Sequence, residues 1–156
     1  MGMRKNVKAV VAAVSIGLSG IAWSSHASAA GVTKTEITEA LTSSGYSVQD
    51  VQAKMIAVTI GERVVFIGLD GADADVSYIT YFSEVDLGLG GHSFMSKFNS
   101  QVKFGRAYID RDGDIALQMD RNSSGGVSID NISSDFDVFL QLITKFLSDL
   151  QAQGSV

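Results

Sequence analysis

The sequence predicts an α+β domain, an antiparallel sheet of about five strands with flanking helices in the order α-β-β-β-α-β-β-α. Three observations predict it. β-branched and aromatic residues crowd Met55–Ile60, Arg63–Leu69 and Val76–Glu84. The segment Lys103–Arg121, KFGRAYIDRDGDIALQMDR, reads as two strands around a tight turn. From Ser128 onward, apolar residues recur at three and four positions for more than five turns.

Taken in order, Thr33-Lys34-Thr35-Glu36 has the pattern of a capping box. Ile37, Ala40 and Leu41 then share a face, and Gly45 suits a left-handed stop, giving a helix over Lys34–Ser44. Val48 and Val51 carry a weak strand signal. Gly61-Glu62 suits a two-residue hairpin loop between Met55–Ile60 and Arg63–Leu69, and Asp70–Asp75 is a loop. Val76–Glu84 is apolar or aromatic on both faces, which predicts a central or half-covered strand. Asp86–Gly91 is a connector, and Phe94, Met95 and Phe98 mark a short helix over Ser93–Gln101.

In the hairpin that follows, Phe104, Arg106, Tyr108 and Asp110 share one face. Gly105, Ala107 and Ile109 share the other, and Asp112-Gly113 predicts a type I′ turn. After the loop Asn122–Val127 comes the long helix, with Ile132, Phe136, Phe139, Leu140, Ile143, Leu147 and Leu150 on its main face. Val138, Leu142 and Phe146 widen the apolar stripe. Either this helix is central to the core or part of it is buried against a second subunit.

The chain divides into a leader, 1–29, and a single domain, 30–156. Arg4, Lys5 and Lys8 precede the apolar run Ala9–Ala22, and Ala27-Ser28-Ala29 supplies a small-x-small cleavage pattern. The run is shorter than the ~20 residues a membrane span requires, so no stable membrane insertion is expected once a Sec-type signal is cut after Ala29. That predicts a periplasmic or secreted protein. Cleavage removes three of 12 basic residues and none of 17 acidic ones, taking the formal net charge from −5 to −8. A chain this acidic is repelled by phosphate backbones, which argues against nucleic acid as a partner. With 46% hydrophobic and 19% charged residues it can pack a core, and with no cysteine it has neither disulfides nor thiol chemistry.

The stretch FNSQVKFGRAYIDRDGDIALQMD, followed by GGVSIDNI and the apolar helix, resembles the YbjN-type family of bacterial sensory transduction regulators. The resemblance rests on Asn99, Lys103, Phe104, Gly105, Ala107, Tyr108, Asp110, Asp120, Gly125, Gly126 and Val127, and extends over Thr33–Leu150. It implies a fold of the type III secretion chaperone-like kind, often dimeric, with no established enzymatic activity; no cofactor is expected. Two features depart from the family. The region GADADVSYIT lacks the cysteine pair found in many members, and the more familiar members have no signal peptide.

Candidate chemistry is sparse. Asp110, Asp112 and Asp114 alternate as calcium-loop ligands do, but an EF-hand register starting at Asp110 places Ile115 and Arg121 where Gly and Glu belong. A solvated hairpin turn accounts for them better, so no metal ligand is assigned. With Asp70, Asp73 and Asp75 they would make a divalent-cation site if the two loops converged. His92, beside Ser93, lacks the setting of a hydrolytic triad. Gly88–Gly91 lacks the Lys-Ser/Thr of a phosphate loop. Phe104, Arg106 and Tyr108 are expected under a helix, with Arg106 paired to Asp120 or Asp110. No catalytic or cofactor-binding residue is assigned. The expected role is a secreted, non-catalytic binding or regulatory module of the cell envelope, engaging a protein partner or a second copy. The alternative is a metal-dependent envelope protein or enzyme using the two acidic loops.

Overall fold

The computed structural model describes residues 31–153, so the predicted leader lies outside the described residues. Helix α1 spans Lys34–Ser43. Strands β1 Ser47–Gln52, β2 Met55–Ile60, β3 Arg63–Asp70 and β4 Asp75–Phe82 follow as a meander. A 3₁₀ turn at Gly88–Gly90 leads into α2, Gly91–Gln101, then β5 Gly105–Ile109, β6 Ile115–Arg121 and α3, Ile129–Ala152. The six strands form one antiparallel sheet in the order β1-β2-β3-β4-β6-β5. The α+β class is therefore as the sequence predicts, with six strands where about five are expected. The extra strand, β1, was hard to read because its register shifts between Asp50 and Gln52 and five of its six residues are exposed. A bulge on an edge strand breaks the two-residue alternation that reveals a strand.

Local chemistry sets the element ends. Thr33 caps α1: its hydroxyl accepts the Glu36 amide at 3.2 Å, and the Glu36 carboxylate accepts the Thr33 amide at 2.8 Å. The Thr33 hydroxyl, which donates to the Glu36 carboxylate at 2.7 Å, and then the Thr33 amide hold the exposed Glu36 carboxyl below its usual range. Ser128 and Asn131 make the same reciprocal cap on α3. The predicted type I′ turn at Asp112-Gly113 is not formed. Gly113 has φ +94°, but Asp112 is not left-handed. The Gly113 amide donates to the Asp110 carbonyl at 3.2 Å and the Asp110 amide to the Asp114 carbonyl at 2.8 Å, so the loop is a wider turn closed by one left-handed glycine. Asp110 selects it, because its Oδ1 accepts the amides of both Asp112 and Asp114 at 2.9 Å.

All three helices pack on one face of the sheet. Val58, Val65, Ile67, Val76, Tyr78 and Leu117 point to that face and are fully buried. Helix α3 crosses them as the central core helix. Its Phe139 ring lies 5.9 Å from Tyr78 and its Phe146 ring 4.8 Å from Phe82. The second flank of Phe146 is closed within the same chain, by Phe94 and Phe98 of α2 at 5.5 and 5.0 Å. Leu142 fits against Gly105, where an added Cβ would stand 2.6 Å from its Cδ1. The wide stripe on α3 is thus largely spent inside the monomer and does not by itself call for a second subunit. The Tyr78 hydroxyl donates to the Ile132 carbonyl at 3.2 Å, and burial pushes its pKa up strongly.

Candidate functional site

The opposite face of the sheet carries no described helix. Its side chains are the alternate residues of the same strands. Ala57, Phe66, Ile79, Gln118 and Arg106 form one row across β2, β3, β4, β6 and β5. Tyr81, Ala116 and Tyr108 form the next row, with Val64 near its β3 end. Val64 and Tyr81 are 39% and 40% exposed, and the Phe66 ring meets Tyr81 edge-on at 6.3 Å. The outward face of an antiparallel sheet is ordinarily polar. Here its middle is aliphatic and aromatic.

The β5–β6 side of this face is polar and closely bonded. Asp120 accepts from the Ser77 hydroxyl at 2.7 Å and from Gln118 at 2.8 Å, and it pairs with Arg106 at 2.8 Å. Burial works against its charge, but the bonds from Ser77 and Gln118 and the Arg106 guanidinium together hold its carboxyl below the usual range. The Tyr108 hydroxyl donates to Gln118 at 2.8 Å. The expected Arg106–Asp120 pair is therefore present. The expected helix over this face is not, because Ala107, not Arg106 or Tyr108, points toward the helices.

The other predicted groups do not assemble into a site. On β6, Ile115 pairs with Phe82 and Arg121 with Val76. The Asp110–Asp114 turn and the Asp70–Asp75 turn therefore sit at opposite ends of that strand, about 20 Å apart at ~3.3 Å per residue. The six carboxylates cannot share one cation, which removes the combined metal site. Among the described residues no group of three or more His, Asp or Glu is placed to hold a metal ion. Asp75 accepts the Ser123 amide at 2.7 Å, tying the two loops at its own end together. His92 and Ser93 are consecutive exposed residues in the first turn of α2, about 100° apart around the axis, and do not face each other. In the glycine connector, the Gly88 amide donates to Asp86 at 2.8 Å, which puts a carboxylate where a phosphate would have to sit.

The family model described as "YbjN: Putative bacterial sensory transduction regulator" matches residues 33–152. The chain belongs to the YbjN family. No curated protein matches it. Among solved structures it is similar to one described as the crystal structure of YbjN, a putative transcription regulator from E. coli. The TM-score is 0.64 at 13% sequence identity, covering 79% of this chain and 94% of that one, a likeness of fold.

Most of the residues that carry the resemblance to YbjN build the fold. Asn99 on α2 clamps the outer edge of β5, donating to the Ala107 carbonyl at 2.9 Å and accepting its amide at 2.7 Å, as a further strand would. Gly105 makes room for Leu142, Asp110 shapes the hairpin turn and Asp120 ties three strands. Phe104 is the exception. It is 77% exposed and left-handed at φ +69°, and nothing in the structure explains that backbone conformation.

Sequence reasoning missed one feature. A groove of about 1090 Å³ opens beside α3, at the Gly61-Glu62 end of β2 and β3. Its only sequence signal is Arg63, a lone cation at the head of the apolar run RVVFIGL.

Proposed function

We propose that this YbjN-family chain is a non-catalytic binding module, exported to the bacterial cell envelope and acting as a regulator through protein contacts. We further propose that it pairs with a second copy through the open face of its sheet. The observation that carries the reading is the patch of Val64, Phe66, Ile79 and Tyr81 in the middle of that face. Charge favours a second copy as its occupant. Without the leader the formal net charge is −8, yet the charged side chains in the middle of this face are Arg106 and Asp120, which neutralise each other, while the outward Asp70 and Asp75 lie at its far end on β3 and β4. Two like-charged molecules meet most readily where each is locally neutral and apolar.

The test uses protein purified from the envelope fraction of an expressing bacterium. Mass spectrometry is expected to give a chain beginning at Ala30; an intact leader in the cytoplasm would remove the envelope assignment. Light scattering is expected to give twice the mass of one chain. A Val64→Asp/Tyr81→Asp double variant is expected to scatter as a monomer while keeping its melting transition. A wild-type monomer, or a dimer indifferent to those changes, would remove the assembly reading without touching the export reading.

A further inference from the structure

The groove beside α3 has a floor of Phe82 and Ile143, which are buried, and walls of Ile60, Val85, Leu140 and Leu147, which are half-buried. Helix α1 is only ten residues long and contributes no residue to the lining of this groove. Ser83 and Thr144 add hydroxyls to the lining, and one cation projects into the groove. The Arg63 guanidinium lies 4.3 Å above the centre of the Phe82 ring.

The surroundings of Arg63 differ from those of every other described arginine. Arg106, Arg111 and Arg121 each meet a carboxylate, Asp120, Asp112 and Asp135 respectively. Arg63 makes no ion pair and no side-chain hydrogen bond among the described residues, although the chain has an excess of acid and Glu62 and Glu84 stand on the rim of the same groove. A half-buried guanidinium offers five donors in a fixed fork that fits a carboxylate. Stacked on an aromatic floor, it is held in place before any ligand arrives.

We propose that this groove binds a long-chain monocarboxylate, with the carboxylate on Arg63 and the unbranched apolar tail along Ile60, Leu140, Ile143 and Leu147. One cation between two rim carboxylates selects a singly charged head. A doubly charged phosphate would meet Glu62 and Glu84 with only one guanidinium to offset them. The volume lies near the upper end of the range for small-molecule sites, enough for an extended chain of this kind. Phe82, Ile60 and Arg63 reach the groove from the helix side of the sheet, and Tyr81, at the edge of the open face, also lines it.

Calorimetric titration of the envelope-purified protein with dodecanoate, below its micelle concentration, tests this. Saturable binding is expected, with dodecanol and dodecyl phosphate each about tenfold weaker or more, as loss of a charge-assisted contact implies. Arg63→Gln is expected to weaken dodecanoate by about ten- to hundredfold and to leave dodecanol unchanged, and Arg63→Lys to fall between. Far-UV circular dichroism and the melting transition check that the variants fold. If Arg63→Gln does not fold, Leu147→Asp, which blocks the tail without touching the cation, is expected to abolish dodecanoate binding. Equal affinity for acid and alcohol, no saturable binding, or dodecanoate binding indifferent to both variants would overturn the proposal. So would binding only of a peptide with a free, apolar C-terminus.

Discussion

The two faces of one sheet are built from neighbouring residues of the same strands, and both are apolar at their centres. On the helix side Val65, Ile67, Val76 and Tyr78 are fully buried. One residue along, Val64, Phe66, Ile79 and Tyr81 are partly open to solvent. Side-chain chemistry alone does not separate the two sets. What separates them is α3, which brings Phe136, Phe139 and Phe146 onto one side only. The helix-side residues therefore hold the fold, while the open-face residues are free to be used in contacts with another molecule.

The strongest way to break that contrast is to cut a core ring and an open-face ring in turn. Phe139→Ala, at the centre of the covered face, is expected to cost about 3–5 kcal/mol in urea unfolding. Tyr81→Ala is expected to cost less than about 0.5 kcal/mol in the monomer while weakening self-association. Similar losses for the two would mean that both faces are core.

The edge of the sheet gives the next effect. Asn99→Ala leaves the Ala107 amide and carbonyl without their clamp, so a loss of about 1–3 kcal/mol is expected, together with a raised tendency to aggregate through β5. Unchanged unfolding and unchanged scattering would show that water replaces the clamp fully.

Phe104 sharpens the comparison from outside both faces. A left-handed phenylalanine is strained by about 1–2 kcal/mol, part of which glycine loses again to the unfolded chain. Phe104→Gly is therefore expected to leave stability unchanged or to raise it by up to ~1 kcal/mol. A clear loss would mean that the exposed ring makes a stabilising contact.

The smallest effect expected is a pH dependence on the open face. The Asp120 carboxyl is held below its unfolded value, so its contribution is present above that value and disappears as pH falls through the folded one. Asp120→Asn is expected to make the acid limb of stability shallower below about pH 4 and to leave its slope near neutrality alone. Identical acid limbs in the two proteins would place the titration elsewhere.

Much of the fold was legible in the residues themselves. The Thr33–Glu36 cap, the Gly61-Glu62 hairpin and the span of α3 depend on contacts a few residues apart, and local contacts leave local patterns. β1 was barely legible because its pairing partner and its bulge, not its own alternation, make it a strand. The turn type at Asp112 was misread because Asp110, two residues earlier, competes for the backbone amides. The candidate surfaces were less legible still. Alternation along β3 and β4 shows that both faces are apolar, but it carries no information on which one a helix will cover. That is settled by contacts such as Tyr78 with Phe139 and Gly105 with Leu142, between residues dozens of positions apart. The separation of the acidic loops and the setting of Arg63 over Phe82 have the same origin. The sequence by itself determined the elements, their caps and the excess of negative charge, because these follow from near neighbours and composition. Only the tertiary structure decided which face stays open and which of the described arginines stays unpaired, because both depend on how distant segments are brought together.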